Sequence, residues 1–81
     1  MKMDYYFRTS DMPLAATLVC LGVPIEAIDR KVGSQRVEFV FPRPSELDGI
    51  LSGFWSGVLK VTPRGYFQAL REVKARLYGQ S

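Results

Sequence analysis

Between Lys60 and Ser81 five basic residues (Lys60, Arg64, Arg71, Lys74 and Arg76) meet one acid, Glu72. Residues 1–40 hold five Lys/Arg and five Asp/Glu, so the net charge of +3 belongs to the C-terminal segment. Arg64 and Arg71 share one stripe of a predicted helix, Lys74 borders it and Lys60 leads in. Cations so spaced can follow phosphates as a sequence-independent electrostatic footprint. The bland reading of the same residues is a solvated helix face with a favourable C-terminal dipole interaction. A partner of opposite sign, nucleic acid included, is the ligand class to which this charge points.

Catalytic chemistry has little to work with. The chain has no histidine, no Gly-x-Gly-x-x-Gly and no P-loop, so the common general bases and phosphate cradles are missing. Asp11, Glu26, Asp29, Glu46 and Asp48 are the candidate carboxylates. Glu46 and Asp48 fall in the first turn of a helix, where dipole compensation accounts for them. The expectation is a non-enzyme without cofactor, and no catalytic residue is assigned. Cys20 is the one cysteine, so no intrachain disulfide or thiolate metal site is expected. Its setting, Leu18-Val19-Cys20-Leu21, predicts a buried packing residue.

Aromatic residues open two further routes. Tyr5, Tyr6, Phe39 and Phe41 could stack bases from an open sheet face, but helices must cover something, and core packing is preferred for all except Tyr6. Phe54 and Trp55 are consecutive, so one helix cannot bury both. Phe54 fits the inward stripe and leaves Trp55 at its margin, either as a half-buried lid on the core or as an anchor for a protein partner.

The elements that would position these groups follow from periodicity. Val37, Phe39 and Phe41 recur at period two within Arg36–Phe41 and predict the central strand. A first strand is expected over Asp4–Thr9, with Tyr5, Phe7 and Thr9 on one face. A helix capped by Ser10 or Thr9 begins near Asp11 and runs Leu14, Leu18, Leu21 inward to a stop at Gly22-Val23-Pro24. Ala27–Lys31 reads as an exposed edge strand joined to the central one by a turn at Gly33-Ser34. Ser45 with Asp48 three residues on resembles a capping box. It opens a helix with Leu47, Ile50, Leu51, Phe54 and Val58 inward, interrupted by Gly49 and Gly53, which a close helix–sheet approach or a marginal helix would explain. Val58–Val61 adds a short extended piece. Thr62-Pro63 starts the last helix, which runs to about Tyr78 with Tyr66, Leu70, Val73 and Leu77 inward and a Glu72–Arg76 pair at i,i+4.

With 81 residues and 47% hydrophobic content, the chain is expected to be one α+β domain over residues 1–81 rather than a disordered segment. The topology is β-α-β-β-α-(β)-α: a small three-stranded antiparallel sheet, order 1-3-2, covered on one face by three helices. No apolar run reaches the ~20 residues of a membrane span. Met1-Lys2-Met3-Asp4-Tyr5 lacks an apolar signal region, and a cytoplasmic protein is expected.

Phe7-Arg8-Thr9-Ser10-Asp11 followed by Leu14-Ala15-Ala16, the Phe39-x-Phe41 strand end, Phe54-Trp55 and Val61-x-Pro63 leading into Leu70-x-x-x-Lys74-x-x-Leu77-Tyr78 occur in this order. Together they resemble a family of short bacterial and phage proteins carried as a domain of unknown function. The resemblance implies a stand-alone domain of phage or prophage origin and carries over no activity. Two classes of function stay open. One is a nucleic-acid-binding domain using Lys60, Arg64, Arg71 and Lys74. The other is a protein-interaction module, for a host protein or a second copy, with Trp55 as anchor.

Overall fold

The computed structural model describes residues 5–30, 33 and 36–79. In chain order these form β1 (Tyr6–Thr9), α1 (Met12–Cys20), β2 (Ala27–Arg30), β3 (Val37–Pro42), α2 (Leu47–Ser56) and α3 (Pro63–Tyr78). The strands make one antiparallel sheet in the order β1-β3-β2. The apolar strand is thus central and the charged one lies at an edge, as their composition requires. Helices cover one face of the sheet, and the molecule is only 18 Å across its thin axis, which suits two layers.

Register sorts the strand residues cleanly. Phe41 lies opposite Phe7, and Phe39 lies between Thr9 and Ile28. These residues point toward the helices, where Phe39 and Phe41 join the core with Phe7 and Ile28 packed against it. The other face carries Tyr6, Arg8, Ala27, Asp29, Glu38 and Val40. Val40 is nonetheless buried. It sits directly between Arg8 and Ala27, where the aliphatic stem of the arginine can shelter it.

Helix α1 differs from a one-sided amphipathic helix. Leu14, Ala15, Ala16, Thr17 and Leu18 are all buried, so it is enclosed on all sides, and α3 makes the most extensive helix–helix contact with it. The buried Thr17 hydroxyl donates to the Pro13 carbonyl at 2.8 Å, so no polar group is stranded. The cap is Asp11, not Ser10 or Thr9. Pro13 has no N–H to offer, and the Asp11 carboxylate accepts from Leu14 N–H at 3.0 Å. Thr9 instead accepts from Asp11 N–H through its hydroxyl. Leu21, expected inward, is exposed. The chain reverses through Gly22 at φ 95, and Val23 donates back to the Leu18 carbonyl at 2.8 Å. Val23 takes the buried place instead.

Other expectations shift by a few residues. Tyr5 lies outside β1 and is 70% exposed, so it does not share the inner face with Phe7. Asp4, Lys31 and Ser34 fall outside the described residues; Gly33 lies in a turn at φ 79. Helix α2 begins after Glu46, whose backbone is already helical and whose side chain makes no cap hydrogen bond, and Asp48 pairs with Arg43 at 3.2 Å instead of completing a box with Ser45. No strand forms over Val58–Val61. Val58 and Leu59 donate to the Gly53 carbonyl at 3.2 and 3.3 Å and so close the C-terminus of α2 around Gly57, which has φ 79. Val58 leaves the helix and is exposed.

The core gathers Leu14, Ala15, Ala16 and Leu18 of α1 with Val23 and Ile25, Phe39 and Phe41 of β3, Leu47 and Leu51 of α2, and Ala69 and Val73 of α3. Neither Gly49 nor Gly53 marks a close approach of helix and sheet. A Cβ on Gly49 would meet nothing within 4 Å, and one on Gly53 would meet the Leu59 side chain at 3.4 Å. The close approach is at Gly65, whose Cβ would stand 3.3 Å from Cys20 Sγ and 2.8 Å from Thr62 Oγ1. That position is where α3 lies against the end of α1.

Two alanine substitutions should therefore move stability in opposite directions. Gly49→Ala gains helix propensity in open space and is expected to add up to about 1 kcal/mol. Gly65→Ala must displace both the Thr62 cap and Cys20 and is expected to lose about 1 kcal/mol despite its better propensity. Urea denaturation of both variants checks the pair; a gain from Gly65→Ala would mean that the helices are not in tight contact there.

Candidate functional site

Helix α3 starts because Thr62 adopts an extended backbone and its hydroxyl accepts from Gly65 N–H at 3.1 Å, with Pro63 preset for the first helical position. Tyr66, Ala69, Leu70, Val73 and Leu77 then face the core, with Val73 fully enclosed. Ala69 joins the expected stripe because only a small side chain fits where α3 lies on α1. Burying this side leaves Arg64, Gln68, Arg71, Lys74 and Ala75 exposed. Arg64, Arg71 and Lys74 fall within about a third of the helix circumference, at 100° per residue. They rise along roughly 15 Å of axis, at ~1.5 Å per residue.

Lys60 is exposed in the segment before the cap, beside a shallow depression lined by Cys20, Leu21, Val61 and Thr62. It precedes the helix rather than standing on its stripe. Cys20 itself is half-buried and carries no disulfide, less enclosed than its apolar neighbours suggest, because it closes α1 next to Gly65.

The other arginines around the molecule are occupied. Arg8 contacts Asp29 at 2.9 Å and Glu38 at 3.6 Å on the open face of the sheet. Asp29 and Glu38 lie directly opposite each other, so Arg8 relieves a like-charge pair. Arg43 pairs with Asp48. Arg30 donates from the β2 edge to the carbonyl of Leu77, one of the last-turn carbonyls of α3 that lack a helical partner. Arg76 makes a long 3.5 Å contact with the Ile25 carbonyl, so it tethers α3 to the segment before β2 instead of pairing with Glu72 as the i,i+4 spacing suggested. Among the described residues, the ion pairs do not include Lys60, Arg64, Arg71 or Lys74.

Two residues of the same stripe escaped the sequence reading. Phe67 is 59% and Tyr78 is 76% exposed. With Arg64, Arg71 and Lys74 they recur at 64, 67, 71, 74 and 78, alternating steps of three and four that keep one helical face. The signal was present: two large apolar residues fall in register with cations and out of register with Tyr66, Val73 and Leu77. The Arg71 guanidinium lies over the Phe67 ring, 6.0 Å from its centroid.

Trp55 stands apart on α2 and is 66% exposed, so it is no lid on the core. Phe54 packs against the core instead. The carboxylates proposed as catalytic candidates mostly serve the fold: Asp11 caps α1, Asp29 holds Arg8 and Asp48 holds Arg43. Among the described residues no group of three His, Cys, Asp or Glu could hold a metal ion. Among the described residues no helix is long and apolar enough to cross a membrane.

Residues 4–79 match the model of a protein family described as Domain of unknown function (DUF5659). No curated protein and no solved structure matches the chain.

Because Arg8 is spent within the sheet, Arg8→Ala should act on stability alone. The expected loss is up to about 1 kcal/mol at low salt, smaller at high salt, since the partners are half exposed. Chemical denaturation at two ionic strengths measures it. A loss independent of salt would assign Arg8 a packing role over Val40 rather than an electrostatic one.

Proposed function

We propose that this chain, which belongs to the DUF5659 family, is a small non-enzymatic binding domain that contacts nucleic acid through the basic face of α3. The residues concerned are Arg64, Arg71 and Lys74, with Lys60 leading in. A cytoplasmic site of action belongs to the same proposal, and so does a phage or prophage origin, which draws on the resemblance described above.

One observation carries the reading: Arg8 and Arg43 are neutralised by carboxylates, whereas the exposed cations of α3 are not, among the described residues. A second argument weighs against the bland alternative. Helix stability places acids in the first turn and cations in the last. Arg76 in the last turn obeys this, but the first turn has no acid and carries Arg64, preceded by Lys60. A cation there costs a few tenths of a kcal/mol or more, so helix stability does not account for it.

The proposal is tested by titrating duplex and single-stranded DNA across a salt series. Salt-dependent binding is expected, and Arg64→Ala/Arg71→Ala should lower the slope of log K against log salt by about 2. Absence of salt-dependent binding, or a double variant that binds like the wild type, overturns it.

Trp55 supports a second reading, a protein-interaction module docking on a host protein or a second copy. A tryptophan two-thirds exposed beside Val58, 69% exposed, is the kind of anchor that interfaces bury. Trp55→Ala is expected to change Tm by no more than about 2–4 °C while abolishing capture of the partner. A larger fall in Tm would return Trp55 to the core.

A further inference from the structure

The exposed stripe of α3 carries rings as well as charge. Resting on the reading of this face as a nucleic-acid contact, we infer that its ligand is an unpaired strand, RNA or DNA. Its bases stack on Phe67 and Tyr78 while Arg64, Arg71 and Lys74 hold its phosphates.

Three observations converge. First, the burial of α3 against α1 and the sheet is complete without these rings. Tyr66, Leu70 and Leu77 pack on the core and Val73 is enclosed, so Phe67 and Tyr78 have no place in the fold to fill. Second, the rings alternate with cations along one line: Arg64, Phe67, Arg71, Lys74, Tyr78. Phe67 and Tyr78 stand ~16 Å apart at the helical rise, with Arg71 and Lys74 between them, which leaves room for a stretch of backbone from one stacked base to the next. Third, Arg71 already lies over Phe67, so one face of the ring meets a planar cation, the kind of flat partner that a base can extend or replace.

The rings also decide between strand forms. In a duplex the faces of the bases are taken up by their neighbours, and a ring can enter only as a wedge that unstacks a step. An unpaired strand offers every base face freely and without sequence preference. Phosphate contacts alone would be served by cations and would leave the rings idle.

A second copy of the chain is a poorer occupant. The stripe bears Arg64, Arg71 and Lys74 and no acid, and Glu72 lies to its side. Two such stripes laid together would bring like charges into contact with nothing to offset them.

The test measures fluorescence anisotropy of labelled oligo-dT and oligo-rU of about 12 nucleotides, a length within the range of one small binding fold. A duplex of the same length is titrated beside them between about 50 and 200 mM salt. The proteins are the wild-type chain, Phe67→Leu/Tyr78→Leu and Arg64→Ala/Arg71→Ala. Leucine keeps apolar area and removes the flat ring, and since both rings are exposed the fold is expected to survive, which circular dichroism verifies.

The unpaired strands should bind about tenfold more tightly than the duplex. The leucine pair should lower that affinity about tenfold or more and leave the salt slope and the duplex affinity unchanged. A preference between oligo-dT and oligo-rU would name the natural strand, and equal affinities would mean the 2′-hydroxyl is not read; both keep the inference. Equal binding of strand and duplex, or a leucine pair that binds like the wild type, overturns the stacking inference. The phosphate contact stands in that case provided the arginine variant still lowers the salt slope. No salt-dependent binding to any of the three probes overturns both. Self-association lost in the leucine pair, with strand affinity unchanged, would reassign the face to a second copy.

Discussion

Helix α1 carries no charged side chain between Met12 and Cys20, and its nine residues are too few to hold a helix in water unaided. It forms because other elements exclude solvent from its whole circumference. Phe39 and Phe41 rise from the central strand on one side, and α3 lies along it on another. Ala15, Ala16, Ala69 and Gly65 keep the two helices close. A larger side chain at Gly65 would strike Cys20 and the Thr62 cap. The polar ends are handled locally, by Asp11 at the start and by the reversal through Gly22 at the finish, so nothing charged needs to enter the enclosure.

Docking α3 on α1 then settles what α3 can show to solvent. A helix that gives Tyr66, Ala69, Leu70, Val73 and Leu77 to the interior presents the opposite third of its circumference to water. Its orientation is held at both ends by contacts outside the stripe. Thr62 closes the N-terminus, and Arg30 and Arg76 tie the last turns to the β2 edge and to Ile25. Arg30 and Arg76 thereby help to hold that face in position. What stays outward is Arg64, Phe67, Arg71, Lys74 and Tyr78, a surface whose charge and rings have no task in the fold.

The uncovered sheet face has a different character. Its cation, Arg8, is held between Asp29 and Glu38, and Val40 is buried beneath. Among the described residues the ion pairs lie on the sheet face and beside α2, while Arg64, Arg71 and Lys74 of α3 have no carboxylate partner, which leaves one helix of a flat, two-layered molecule electrostatically open.

Much of this was legible in the chain itself. Alternation at Val37, Phe39 and Phe41 placed the central strand, charge on Asp29-Arg30 placed an edge, and Thr62-Pro63 placed the start of α3, because side-chain periodicity and capping act over a few residues. The clustering of cations on one helical stripe is likewise a matter of spacing. Only the tertiary structure decided which cations meet a carboxylate or a carbonyl among the described residues. Arg8 meets Asp29 across 21 residues of sequence and Arg76 meets Ile25 across 51, partners set by strand register and by the way α3 crosses the fold. The same holds for exposure. Helical register separates Phe67 from Tyr66 and Trp55 from Phe54, but it does not say how far a neighbouring layer covers each. Each is assigned to core or solvent by which side of its helix the neighbouring layer covers, and a one-residue difference there is a 100° turn about the axis.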